Sequence, residues 1–134
     1  AGLFFSVFQR DASRITLEDT EEETRIRLTL RFDRAWASVV KGTEDADFVI
    51  DDRDRSEGLL YVTFVGPQDE EDSGWFDWLW GGEDEHPLAG HQYQIHLDRA
   101  GEELTLITLR GPDGSAVDRR DQQALLTILR GNIT

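Results

Sequence analysis

At 134 residues the chain is long enough for one hydrophobic core and short for two, and 38% hydrophobic against 31% charged residues is the make-up of a folded domain, not of a disordered tail. Twenty-eight Asp and Glu against fourteen Lys and Arg leave a net charge of −14, which repels phosphate backbones and anionic head groups over a Debye length of about 8 Å, so nucleic acid is a poor partner. Without Cys there is no thiolate nucleophile, disulfide or lipid-acceptor thiol; without a run of about 18 apolar residues there is no spanning helix, and the Ala1-Gly2 start without Met reads as an excised mature piece.

Leu3 to Phe8 is apolar but short, the end of a preceding element or an edge strand, and residues 1–12 are read as a linker before a single domain over 13–134. Ile15 to Glu18 and Thr24 to Phe32 read as strands, the second setting Ile26, Leu28, Leu30 and Phe32 against Arg25, Arg27, Thr29 and Arg31. Asp33 then suits the cap of a helix whose Ala35, Trp36, Val39 and Val40 recur at helical spacing, ending near Gly42 to Asp47. Phe48 to Ile50 and Leu59 to Val65 are further strands joined by polar Asp51 to Gly58.

Regular patterning stops after Gly66-Pro67. A long acidic, Trp-rich loop is expected over 66–90, with eight acids and no Lys or Arg between Gln68 and Pro87. Alternation returns at His91 to Leu97, turns at Asp98 to Gly101 and runs on through Leu104 to Leu109, followed by the turn signal Pro112-Asp113-Gly114. The last helix starts at Asp118, which with Asp121 resembles a capping box; Ala124, Leu125, Ile128 and Leu129 form its stripe, and Gly131 suits a left-handed cap. Hairpin-linked strands with helices on one face make an α+β layer architecture, an antiparallel sheet of about six strands packed against two helices.

The chemistry-bearing groups argue against an enzyme. His91 and His96 are five apart on a strand and so point to opposite faces, and His86 would have to fold back to join either, so no metal site is expected. Asp51 to Gly58 resembles a calcium loop only at first. Gly58 falls one residue late, Thr63 stands where the bidentate Glu belongs, and Arg53 and Arg55 neutralise the carboxylates, so a turn with Asp side chains on backbone amides is expected instead. The sequence holds no Gly-x-Ser-x-Gly and no phosphate-binding glycine loop, so no catalytic residue and no cofactor is expected.

Three of the four Trp fall in Ser73 to Gly82. If Ser73 caps a helical turn, Trp75, Trp78 and Leu79 share one face while Phe76 and Trp80 meet on another, so both faces are apolar. Either the island folds back to close the core, or Trp75, Phe76, Trp78, Leu79 and Trp80 form an exposed contact patch. Membrane insertion is disfavoured by the flanking acids.

Phe32-Asp33-Arg34-Ala35-Trp36, followed by Phe48-Val49-Ile50-Asp51-Asp52-Arg53-Asp54-Arg55-Ser56-Glu57-Gly58-Leu59-Leu60-Tyr61-Val62, resembles the helix start and hairpin of the second domain in the BamC lipoprotein family. The aromatic loop and the helix Asp121 to Arg130 follow in the same order, so the resemblance covers roughly residues 24–134. It implies a helix-grip fold and a non-catalytic accessory or scaffold role in the outer-membrane β-barrel assembly machinery. The partners implied are other subunits of that machinery. The implied location is the outer membrane, through a lipid anchor outside this fragment, with the domain periplasmic or surface-exposed. Asp47 stands where the family pattern has Gly, tolerable because Asp enters left-handed backbone more readily than most residues; the Trp loop is also more acidic than the family leads one to expect. The rival reading is a small-molecule or lipid-binding grip, which an apolar cavity of about 300 Å³ or more would favour. Trp36, Phe32, Phe48, Tyr61 and Phe64 are expected to fill that space instead.

Overall fold

The computed structural model describes residues 14–66 and 90–133. Its elements are β1 (Ile15–Asp19), β2 (Thr24–Leu28), α1 (Phe32–Asp45), β3 (Phe48–Asp54), β4 (Leu59–Phe64), β5 (Gln92–Gly101), β6 (Leu104–Arg110) and α2 (Arg119–Asn132). All strand pairs are antiparallel, in the order β1-β2-β6-β5-β4-β3. The expected α+β architecture of six strands and two helices is the one observed.

Side chains alternate between faces along each strand, so the register decides which of them share a core. Ile26 lies opposite Ile107, which lies opposite Leu97; Val62 faces Tyr93, and Phe48 faces Phe64. These residues, with Leu28, Leu60, Ile95 and Leu109, form one buried face of the sheet. Ala35, Trp36 and Val39 of α1 and Leu125, Ile128 and Leu129 of α2 close over it. Burial of each large side chain here stabilises the fold by about 1.5–3 kcal/mol. The helices meet closely at Gly42, where an added Cβ would stand 2.9 Å from Ile133 Cγ1 and 3.1 Å from the Asn132 carbonyl.

Several local expectations are corrected. β2 stops at Leu28, because α1 begins at Phe32 with Arg31 as its N-cap; Asp33 lies inside the first turn and does not cap. Phe32 therefore leaves the strand pattern, stacks on Trp36 at 6.1 Å between centroids and carries the Arg99 guanidinium at 4.3 Å. Asp118 is the N-cap of α2 but makes no side-chain cap bond, so no capping box forms. Gly131 is inside α2, which continues to Asn132 because Ile133 packs on α1. The turn expected at Asp98 to Gly101 moves on, with β5 reaching Gly101. β3 likewise runs past Ile50 to Asp54 through a bulge between Ile50 and Asp52, a charged and irregular edge that discourages further strand pairing. Tyr61 sits on the outer face opposite Gln94 and Asp52, and Leu60, Val62 and Phe64 fill the core in its place. Asp47 does take the left-handed backbone, with φ of 66°.

The first hairpin is tied to α2 by polar contacts. Beyond the end of its pairing with β6, the Thr24 amide donates to Gln122 Oε1 at 2.8 Å, while Gln122 Nε2 donates to the Val117 carbonyl at 2.6 Å. A buried amide that would otherwise lack an acceptor is thereby satisfied. Asp19 accepts from Thr24 Oγ1 at 2.9 Å and from Arg119 at 2.6 Å, and Arg119 also reaches the Thr20 and Glu21 carbonyls. The Thr24 hydroxyl does most to hold the Asp19 carboxyl below its ordinary 3.8; burial pulls the other way, and Arg119 and Gln123 add to the lowering. A carboxyl depressed in the folded state contributes stability that is complete above 3.8 and is lost as pH falls through the folded value. Asp19→Asn is therefore expected to lower the urea midpoint at pH 6–7 and to converge on wild type in acid. A gap that persists undiminished at the acid end would show that the charge is not its source.

Candidate interaction surface

The aromatic residues Trp75, Phe76, Trp78, Leu79 and Trp80, their acidic surround and the expected linker 1–12 lie outside the described residues. The two attachment points of the aromatic segment are described. Thr63 pairs with Gln92, the Phe64 amide donates to the His91 carbonyl at 3.0 Å, and the Gly90 amide donates to the Phe64 carbonyl at 2.6 Å. Gly66 and Gly90 have φ of 76° and 84°, left-handed backbone that glycine takes without strain. The Val65 amide donates to the Asp47 carbonyl at 3.0 Å, adding the α1–β3 turn to the same corner. Beneath it the Phe64 ring is fully buried against Phe48, with centroids 5.0 Å apart. The segment thus leaves and re-enters at one hydrogen-bonded corner of the sheet.

Two acidic groups near that corner are held protonated to higher pH than usual. Burial, then the neighbouring Asp118, raises the Asp121 carboxyl above its ordinary value, and burial with the Asp121 charge pushes the Tyr93 hydroxyl up to about 12. Both shifts have the direction expected where anionic charge is poorly solvated.

His91 is exposed ahead of β5, while His96 is half-buried on the outer face, its Nε2 2.9 Å from Gln94 Oε1; burial, then Arg110, holds its pKa low. His86 is outside the described residues. Among the described residues no three His, Cys, Asp or Glu side chains are grouped to hold a metal. The Asp51 to Gly58 stretch closes as a turn: Asp54 Oδ1 accepts from Ser56 Oγ at 2.8 Å and the Glu57 amide at 3.2 Å, and Asp52 Oδ1 accepts from the Arg53 amide.

Among the described residues, two open grooves flank α1. One, of about 570 Å³, lies at its N-terminus among two basic groups, Arg31 and Arg99, and three acidic ones, Asp33, Glu102 and Glu103, and Arg99 already covers the Phe32 ring. The other, of about 320 Å³, runs between α1 and the first hairpin, lined by Ile15, Leu28, Leu30, Ala37 and Ser38, with Arg14 and Arg34 beside them. Its volume reaches the range of a small-ligand site, but it is open to solvent at the rim of the core and does not lie enclosed between sheet and helices. Nothing in the sequence pattern signals this groove, because its lining comes from three separated stretches that meet only when α1 crosses the sheet.

Residues 15–133 match the family model described as outer membrane protein assembly factor BamC-like C-terminal domain. Among curated proteins, outer membrane protein assembly factor BamC of Thiobacillus denitrificans is 32% identical over 102 residues, covering 73% of this chain and 28% of that protein. The protein of the same name from Pseudoalteromonas atlantica is 30% identical over 102 residues, with 75% and 27% covered. That from Ferrimonas balearica is 34% identical over 91 residues, with 68% and 23% covered. The chain spans about a quarter of the length of these relatives.

Proposed function

This chain belongs to the outer membrane protein assembly factor BamC-like C-terminal domain family, and we propose that it serves outer membrane protein assembly as a non-catalytic accessory domain, acting through protein contacts. Its partners in this reading are other subunits of the β-barrel assembly machinery. The full-length protein is held at the outer membrane by a lipid anchor outside this fragment, and the domain faces the periplasm or the cell surface.

The contact patch is the Trp75, Phe76, Trp78, Leu79 and Trp80 island. The observation that carries this assignment is the anchoring of both ends of its segment at one buried corner, through the Phe64 and Gly90 backbone bonds. A long acidic and aromatic stretch on a fixed base suits a contact surface, since Trp concentrates at interface hot spots and fixed ends limit the entropy lost on binding.

Trp emission tests it, because the fourth Trp, Trp36, is buried in α1 and supplies a protected baseline. Subtracting the spectrum of the variant carrying Trp75→Phe, Trp78→Phe and Trp80→Phe is expected to leave a red-shifted component readily quenched by acrylamide. A photo-crosslinker at Trp78 is expected to capture an assembly-machinery subunit in cells. Blue-shifted, protected emission from the island would mean that it closes the core and would end the contact reading. The rival small-molecule or lipid-binding reading draws its support from the groove beside Arg14 and Arg34.

A further inference from the structure

We infer that the groove between α1 and the first hairpin receives an extended segment of a partner protein that alternates apolar and acidic side chains. Ile15, Leu28, Leu30 and Ala37 supply apolar contacts over about 320 Å³, with Leu28 fully buried beneath them. Arg14 and Arg34 flank this surface, and neither has a carboxylate partner among the described residues.

Arg25, Arg110 and Arg119 face Glu18, Glu23 and Asp19, whereas most other described arginines face no carboxylate; what sets Arg14 and Arg34 apart is their place on either side of an apolar trough. Two guanidinium groups beside apolar surface remain available to carboxylates from outside, for which their forked donors are well matched. The openness of the groove selects the kind of ligand. A small molecule or single acyl chain is held by sites that bury most of its surface, whereas an open trough lets a polypeptide enter at one end and leave at the other.

The inference rests on the reading of this domain as a protein-contact module but not on the Trp75 to Trp80 island. The probe is a fluorescein-labelled heptapeptide alternating Leu and Glu, with a second in which every Glu is Gln, titrated by anisotropy against the whole chain. The Glu peptide is expected to bind about tenfold or more tighter than the Gln peptide, a difference of about 1.4 kcal/mol. Arg34→Glu, and Ala37→Trp to fill the trough, are each expected to weaken binding by about tenfold or more. Arg27→Glu, the same charge change at an exposed position on the other face of the sheet, leaves it within about twofold. Arg34 and Ala37 are exposed on α1, so unchanged circular dichroism and urea midpoints confirm that these variants fold.

No binding, equal binding of the two peptides, or binding indifferent to Ala37→Trp overturns the inference. Binding of phosphatidylglycerol vesicles through Arg34 and Ala37 without binding of the peptide overturns it in favour of a lipid. Crosslinking from Trp78 reports separately, so failure of the contact island with an intact groove is distinguishable from the converse.

Discussion

Gly58→Ala is expected to destabilise the domain by about 3–5 kcal/mol, far beyond the usual effect of adding one methyl group in a turn. Gly58 has φ of 68°, a left-handed backbone that costs an L-residue about 1–2 kcal/mol. The larger part comes from packing, because an added Cβ would stand 2.3 Å from the Leu97 carbonyl oxygen and 3.6 Å from Phe32 Cε2. The Leu97 amide donates to the Gly58 carbonyl at 2.7 Å, so the hairpin cannot move off β5 without breaking the bond that seats it. Urea unfolding of Gly58→Ala and Gly58→Asn separates the two causes. Asn tolerates the left-handed region but still carries a Cβ, and is expected to recover little. Substantial recovery by Asn would assign the cost to backbone conformation and not to the Leu97 carbonyl.

Gly58 also gives a physical reason for part of the hairpin sequence on which the family resemblance rests. In Asp54-Arg55-Ser56-Glu57-Gly58 the Asp54 carboxylate organises the turn, and the glycine lets it close onto β5. A side chain and a missing side chain at fixed spacing leave a mark in sequence. The grooves and the helix ends leave none.

Legibility elsewhere followed the strength of the alternation. In β2, Ile26 and Leu28 stand against Arg25 and Arg27, so the core face could be read directly and is the one observed. In Leu59 to Val65 both faces are nearly apolar, and the pattern could not choose between Tyr61 and its neighbours. The register with β5 places Tyr61 opposite Gln94 and leaves Leu60 and Val62 inside. Helix ends were misplaced where tertiary contact overrode local propensity. Arg31 caps α1 without a cap side chain because the chain must leave β2 there, the Leu30 carbonyl being held by Thr105 Oγ1 at 3.2 Å. Gly131 stays helical because the end of α2 rests in the space that Gly42 leaves open on α1. The aromatic island was prominent in sequence for its composition, whereas the groove beside Arg14 and Arg34 depends on long-range packing that local patterns do not encode.

Phe64→Ala is expected to cost about 3–5 kcal/mol and, in the same step, to loosen the base of the aromatic segment. Phe64 is fully buried and its ring meets Phe48 at 5.0 Å, so truncation removes apolar burial, an aromatic contact and the packing of both neighbouring strands. Its backbone carries two of the bonds that fix the segment's ends, the amide to His91 and the carbonyl from Gly90. Phe64→Leu keeps most of the volume and is expected to cost about 1–1.5 kcal/mol. Urea unfolding measures the loss, and hydrogen exchange at the Gly90 amide measures the base. If the base is held by the Phe48–Phe64 contact, Gly90 exchange in Phe64→Leu accelerates beyond what the fall in global stability accounts for. If it only tracks global stability, the corner is fixed by the β4–β5 ladder alone, and the aromatic pair serves the core without setting the geometry from which the contact segment departs.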